Sequence, residues 1–476
     1  MPSLKQNLCK ISALLLFQLH FLNAVQPPLW ESPPPKNSPV QSALEGSVLD
    51  IEQALELALK NNFEVRQARE RLKERRAEID EARASFFPTI SLDGNYQRKD
   101  ENLASTFGSA SFQNLESWNT KLEAVQKIYS GGKNKATLKG KREEFSAAEA
   151  ELQAVINDVT LQLKTSFYDT LLAMAEVEVQ KEAVQLLEEE YISAKKRFRA
   201  GVGSSFEELR AKVAFANGKP DLIRAQNELK GSLEELRRVI GVSTLDPSLL
   251  DISGTLVFEP YEITMEEALA RSRKNRPEIF QRQRLLQASE QEVKVQMSKR
   301  LPEFEIFANY GFERANSSAG PDVLEGWIIG VRGTWEVFNG LETDAQIAKA
   351  RSELAQAQLG FEQLLLDIDI QVRKAYYDFA DSIELVKASH EVIKEAVESL
   401  RLARSRFNVG ATTQLDILDS QVALTEAGTN QALALRDYSV ALAALKRAMG
   451  ETDAVASLAE TELFLFPVPQ ESKRRQ

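Results

Sequence analysis

The sequence predicts a mainly α-helical protein with a membrane β-barrel portion, in which long α-helical hairpins join four β-strands per chain. Three observations predict it. Apolar residues recur every seven positions over stretches much longer than an ordinary helix, the pattern occurs twice, and between the helices lie four segments that alternate apolar with polar residues.

Ile347, Leu354, Phe361 and Ile368 form one seven-residue seam, and Phe379, Val386, Ile393, Leu400 and Phe407 form a second. The two runs join by a step of four through Val372, a stutter that locally unwinds a left-handed supercoil. No proline lies between Pro321 and Pro467. One helix of about 68 residues is therefore allowed, roughly 100 Å long at 1.5 Å per residue. It ends in a tight turn, Arg406-Phe407-Asn408-Val409-Gly410, and a second helix opens at Thr413.

The same stretch occurs 209 residues earlier, where Leu138, Phe145, Leu152, Val159 and Leu163 match the first run and Val177, Val184, Tyr191 and Phe198 the second. Thr165-Ser166-Phe167-Tyr168-Asp169 answers Lys374-Ala375-Tyr376-Tyr377-Asp378, and Arg197-Phe198-Arg199-Ala200-Gly201 answers the turn. The chain is an internal duplication, and its function belongs to the repeated unit.

Lys5 and Lys10 precede an apolar run, and Leu22-Asn23-Ala24 reads as a cleavage site, so residues 1–24 are expected to be a signal peptide. Residues 25–48, with six prolines from Pro27 to Pro39, read as an extended linker. Cys9 would leave with the signal peptide, and His390 would be the one histidine of the mature chain. That composition argues against thiol chemistry and a cysteine- or histidine-rich metal site, and no cofactor is expected. The whole chain carries a net charge of −11, which makes nucleic acid a poor partner. No nucleophile–base pair appears, and Ser130-Gly131-Gly132-Lys133 lacks the glycine spacing of a phosphate loop, so no enzyme is expected.

The first repeat is expected over residues 49–241, the connection over 242–262, the second repeat over 263–450 and a tail over 451–476. Leu49 to Phe86 reads as one helix that Asp50 can cap. Ile90, Leu92, Gly94 and Tyr96 then alternate with Thr89, Ser91, Asp93 and Asn95, as a strand does. After a polar loop, about residues 98–117, the alternation resumes with Trp118, Thr120, Leu122, Ala124 and Ile128 on the apolar side. Ile263 to Arg300 repeats the short helix. Phe304, Ile306, Ala308, Tyr310 and Phe312 form a third strand, and Trp327, Ile329, Val331, Gly333, Trp335 and Val337 a fourth. The helices 50–86 and 205–240 together match one long helix and are expected to stack end to end beside it. Pro220 is expected to kink or restart the second of these.

Four strands of about ten residues suit a bilayer crossing, and Tyr96, Trp118, Tyr310, Trp327 and Trp335 suit its interfaces. Four strands cannot close a barrel, and an open edge is forbidden in lipid, so several chains must share one. Two chains would give eight strands around a filled interior, and three would give twelve, enough for an aqueous lumen. The polar face, with Lys121, Lys127, Glu303 and Glu305, favours the larger barrel over a soluble sheet packed on the helices. The reading from another class is a periplasmic or surface coiled-coil scaffold whose hairpins are soluble.

The unit order, the duplication and the run from Arg406 through Thr412-Thr413-Gln414-Leu415-Asp416 to Gln421 resemble the outer-membrane efflux proteins of the TolC family. The likeness covers about residues 49–450. It implies a homotrimer, with a twelve-stranded barrel in outer-membrane lipid continued by an α-helical barrel through the periplasm. It also implies docking on a periplasmic adaptor (membrane fusion) protein that joins an inner-membrane transporter, for efflux or type I secretion.

Gly201 and Gly410 follow the long helices where a left-handed cap needs glycine, and Ser204 with Glu207 and Thr413 with Asp416 resemble capping boxes. First-turn acids stabilise a helix dipole whatever else they do. In a trimer, Asp416 and Asp419, three apart on one face, would also form two stacked rings of carboxylates. The resemblance assigns these two aspartates to the narrow periplasmic entrance, with Glu207 in the equivalent place after the first turn. It assigns the turns Gly201-Val202-Gly203 and Gly410-Ala411 to adaptor contact. An arginine that the family can use in a closing ionic link is replaced here by Thr412.

Overall fold

The computed structural model describes residues 48–98, 116–242, 251–317 and 320–451. The expected signal peptide, almost all of the linker, the interior of the first strand–strand loop and the tail beyond Glu451 lie outside the described residues. The chain divides into two units. In the smaller, the two-residue strands β1 (Val48–Leu49) and β4 (Asp251–Ile252) pair in parallel.

The larger unit holds α1 (Ile51–Asn61), α2 (Phe63–Ala84), β2 (Thr89–Arg98), β3 (Glu116–Ser130), α3 (Lys133–Arg199) and α4 (Ser205–Ile240). The same order returns in α5 (Met265–Asn275), α6 (Pro277–Ser298), β5 (Glu303–Ser317), β6 (Gly320–Thr334), α7 (Glu342–Asn408) and α8 (Gln414–Ala448). The long helices α3 and α7 each run for 67 residues without a break.

The short helix of each repeat is two helices, where the sequence reading has one. Asn62 interrupts the first, because its side chain competes for backbone groups. Its Oδ1 accepts from the Glu64 and Val65 N–H groups at 2.8 and 3.3 Å, and its Nδ2 donates to Val239 O at 2.7 Å. In the second repeat the break falls at Arg276, which Pro277 excludes from the helical region, and the proline opens α6. Arg276 is buried there, donating to Gln371 Oε1 at 2.7 Å and pairing with Glu278 at 3.0 Å. Burial holds its pKa below the usual arginine value.

These breaks decide what stacks on what. Gly241, at φ +84°, closes α4 so tightly against the α1–α2 joint that a Cβ would stand 2.6 Å from Asn61 O. Gly450 closes α8 on the α5–α6 joint in the same way, 2.8 Å from Arg276 N. At the far end of α2, Asn134 near the start of α3 donates to Ser85 O at 3.2 Å. The end-to-end partner of α3 is therefore α2 with α4, and α1 stands outside that line. Pro220 does not break α4, which continues through it. The lost hydrogen bond is one among many, and the helix is clasped to α3 beside it, where a Cβ on Gly218 would meet Leu187 Cδ1 at 2.9 Å.

The stutter seam is the core of the second hairpin. Ile368, Val372, Phe379 and Val386 are buried with Tyr438 and Leu445 of α8, and Phe379 and Tyr438 lie 5.7 Å apart. No helix among the described residues is long and apolar enough to cross a membrane.

The four long strands form one antiparallel sheet in the order β2-β3-β5-β6. Leu92, Leu122, Tyr310 and Trp327 form one cross-strand row, and Ile90, Ala124, Ala308 and Ile329 form the next. These are the residues whose alternation predicts an apolar face, with one correction. The register shifts between Lys127 and Tyr129, so Tyr129 and not Ile128 pairs with Phe304, their rings 6.2 Å apart. Another correction concerns the fourth strand, which ends at Thr334. Trp335 and Val337 lie beyond it, and the Trp335 indole donates to Arg300 O at 3.1 Å.

Candidate functional site

Within the larger unit, α4 packs on α3, α3 on α8, and α8 on α7; nearer the sheet, α2 packs on α3, α3 on α6, and α6 on α7. Both layers, like the sheet, are open arrays. In every one the first repeat supplies one edge, α2, α4 or β2, and the second repeat supplies the other, α7 or β6.

The helical edges carry apolar side chains that no described residue of the chain covers. Leu359, Leu366, Ile370 and Tyr377 are exposed on α7, each two residues before a seam residue and so about 200° around the helix from it. Phe206, Leu209, Val213 and Ile223 are exposed on α4. A helix with two apolar stripes belongs in a wall with neighbours on both sides. The second stripe was present in the sequence, but the stronger seam masks it.

On the sheet, Ile90, Leu92, Trp327, Ile329 and Val331 are all more than 60% exposed, with Leu122 and Tyr310 between them on the same face. Tyr96 pairs with Trp118 and Tyr310 with Trp327 across strands on this face. The other face is mixed: Asp93 stands opposite Lys121, Ser91 opposite Glu123, and Glu305 opposite Arg332, which ion-pair, while Val125, Phe307, Leu324 and Ile328 also lie on it.

At the far ends of the hairpins, both turns close as expected. Gly201 and Gly410 have φ +79° and +73°. Val202 N–H donates to Arg197 O at 3.1 Å, and Ala411 N–H donates to Arg406 O at 2.9 Å. The first turn is tighter, since Gly203 N–H also reaches Arg197 O, at 3.1 Å. A Cβ on Gly203 would stand 3.0 Å from Arg197 Cβ and 3.2 Å from Phe198 N. Thr412 occupies the matching place in the second turn.

The acids divide. Asp416 reaches back to the start of α8, where its Oδ2 accepts from Thr413 N–H at 2.8 Å, from Thr413 Oγ1 at 2.7 Å and from the Thr412 hydroxyl. Those bonds, the Thr412 hydroxyl foremost, hold its pKa down to about 2. Asp419 is exposed one turn further along the same face. The first turn forms half of the expected capping box, Glu207 N–H donating to Ser204 Oγ at 3.2 Å, and Glu207 is half-buried.

The structure also brings together residues that the sequence reading did not single out. Glu190 of α3, 9% exposed, accepts from Gln414 Nε2 of α8 at 3.2 Å and pairs with Arg197 at 3.2 Å. Arg197 lies over the Phe407 ring at 4.6 Å. This cluster ties the first hairpin to the second close to their turns. Its only mark in the sequence is an acid and a base seven apart on α3, with Ser399 where Glu190 would recur.

Long helical hairpins continued by a four-stranded sheet with one apolar face define a subunit of an outer-membrane duct. The chain belongs to the outer membrane efflux protein family, whose model matches residues 54–242 and 268–451. It is 24% identical over 367 residues to Protein CyaE of Bordetella pertussis, covering 76% of this chain and 73% of that one. It is 20% identical over 405 residues to the outer membrane protein TolC of Escherichia coli, covering 82% and 80%. With the cobalt-zinc-cadmium resistance protein CzcC of Cupriavidus metallidurans it shares 23% identity over 384 residues, 80% of this chain and 84% of that one. The fold is that of the CmeC outer membrane channel of Campylobacter jejuni, at TM-score 0.73 and 18% identity over 87% and 88% of the two chains. The open state of the MtrE channel of Neisseria gonorrhoeae matches at TM-score 0.69 and 17% identity over 84% and 89%. The protein is an outer-membrane channel of efflux or secretion.

Proposed function

We propose that three copies close into one ring that conducts substrates passively from a periplasmic adaptor and inner-membrane transporter to the exterior, in efflux or type I secretion. The observation that carries this reading is the matched open edges. The helical layers and the sheet each expose a first-repeat element on one side and a second-repeat element on the other, so one head-to-tail contact closes all of them. In that contact α7 meets α4 and α2 of the next copy, and β6 meets β2. Three copies bring twelve strands, and the apolar rows face lipid while Lys121, Glu123, Glu305 and Arg332 face the lumen. Tyr96, Trp118, Tyr310, Trp327 and Trp335 sit at the two membrane interfaces.

At the other end the turns Gly201-Val202-Gly203 and Gly410-Ala411 contact the adaptor, their small residues permitting close backbone approach. Asp416 and Asp419 form the rings of the periplasmic entrance, with Glu207 beside them. Asp416 then has two roles, since the bonds that begin α8 also keep its carboxylate ionised, and a charged ring selects cations.

The deciding measurement is the mass of the protein in detergent extracts of outer membranes, corrected for bound detergent. A trimer released only by detergent is expected. A monomer or dimer in the soluble periplasmic fraction would replace the duct with the scaffold reading.

A further inference from the structure

Within one chain, α8 and α6 lie against α3, and Arg447 near the end of α8 joins the three helices. Its Nε donates to Asp158 of α3 at 2.7 Å, and its guanidinium pairs with Glu278 of α6 at 3.1 Å. The duplication repeats all three residues, but on opposite edges of the chain. Arg238, like Arg447, lies three residues before the glycine that closes its helix, and Glu64, like Glu278, is the second residue of its helix. Asp367, like Asp158, stands immediately before a seam residue.

Arg238 and Glu64 share the first-repeat edge, where Glu235 and then Glu64 hold the Arg238 pKa up. Asp367 is on the second-repeat edge, exposed and without an ion pair among the described residues. Two other pairs between α8 and α3 are not repeated. Gln414 with Glu190 is answered by Ser205 and Ser399, and Arg436 with Asp169 by Asn227 and Asp378. Of these three links, only the arginine node keeps its charges in both repeats.

The apolar cover tells the same story. Because α4 packs on α3 as α8 packs on α7, whatever α8 buries beyond its partner's counterpart is covered by α3. Leu418 and Ala432 of α8 are 9% and 8% exposed, and their counterparts on α4, Leu209 and Ile223, are 59% and 56% exposed. On the other side Asn157 of α3 is 6% exposed, and its counterpart on α7, Leu366, is 61% exposed. The faces that make the intrachain joint are therefore the faces left bare at the two edges. A second copy of this chain supplies both the missing cover and the missing charge.

We propose that the joint between copies reproduces the intrachain joint in the same register, and that Arg238 and Glu64 of one copy close on Asp367 of the next. The node then recurs once per copy around the ring, and no single chain can complete it. This register presupposes the head-to-tail ring proposed above.

The register is tested by disulfides in the full chain in outer membranes, with Cys9→Ser so that introduced thiols are the only ones. Within the chain a Cβ on Gly428 would stand 3.4 Å from Val179 Cγ2, within disulfide reach. Lys219 and Ala388 answer these two positions. Lys219→Cys with Ala388→Cys is expected to give a covalent trimer on denaturing gels. Lys219→Cys with Glu384→Cys or with Val392→Cys, one helical turn to either side, is expected to react at least about tenfold more slowly. A trimer linked through one of those positions instead, equally at all three, or at none would overturn this register and leave the ring standing. A monomer in detergent extracts would overturn both. The node is tested by charge exchange: Arg238→Asp should speed dissociation of extracted trimers about tenfold, and adding Asp367→Arg should return the rate to within about threefold of the original. An unchanged rate in the single variant, or no recovery in the double variant, would overturn the node.

Discussion

The two hairpin turns descend from one repeat, yet different residues hold them. The first is fixed from behind: Glu190 and Arg197 pair on α3, Gln414 reaches over from the other hairpin, and the turn is so tight that Gly203 has little room for a side chain. The second is fixed from in front. Ser399 replaces Glu190, the matching Arg406 is exposed, and Thr412 and Thr413 grip Asp416. One backbone shape can thus be secured by a buried charge pair or by an exposed cap, and the choice leaves the second turn with its acids at the surface.

The largest expected difference between the turns lies behind them. Arg197→Met leaves Glu190 buried with Gln414 alone and costs about 3 kcal/mol, as removing one partner of a buried pair does. Amides of residues 186–200 should then exchange with solvent about 100-fold faster. Arg406→Met should change the second turn by less than about 0.5 kcal/mol. Equal effects at the two sites would break the comparison.

Next comes charge. Asp416→Asn with Asp419→Asn should lower the cation-over-anion permeability ratio of single channels about tenfold, and Glu207→Gln should change it less than about twofold. Reversal potentials in planar bilayers measure both. An unchanged ratio in the double variant would remove the carboxylate rings and leave the duct intact.

Exchanging the turn residues should have a smaller effect. Gly203→Thr forces a side chain against Arg197 and should cost about 1 to 2 kcal/mol, while Thr412→Gly removes one exposed hydroxyl bond and should cost under about 1 kcal/mol. Local amide exchange over residues 201–204 and 410–413 reports each.

The smallest effect is in pH. The Asp416 carboxyl is held at about 2, below its ordinary 3.8. A depressed carboxylate contributes stability that is complete above its unfolded value, and that stability disappears as pH falls through the folded value. The cap on α8 should therefore hold down to about pH 4 and be lost between there and about pH 2. Thr412→Val should raise the titration midpoint of Asp416 towards 3.8, as followed by carboxyl NMR. A midpoint unmoved by that substitution would mean that Thr412 is not the main grip.

The sequence by itself determined what depends on near neighbours. A seven-residue seam with its stutter at Val372 specifies two unbroken rods, strict alternation at Ile90, Leu92 and Tyr96 specifies a two-faced strand, and a glycine after each rod specifies a left-handed cap. These follow from helical and strand periods and from local hydrogen bonding. What tertiary structure decided depends on residues far apart in the chain. Asn62 looks like any polar residue on a helix until its amide meets Val239, 177 residues away. Pro220 looks like a break until α3 holds the helix through it, and Ile128 looks like the next apolar position until pairing with β5 inserts a bulge. Glu190 looks like one more surface acid until Gln414, 224 residues on, covers it. Each of these outcomes belongs to a partner that no local period encodes, so only the packed chain reveals it.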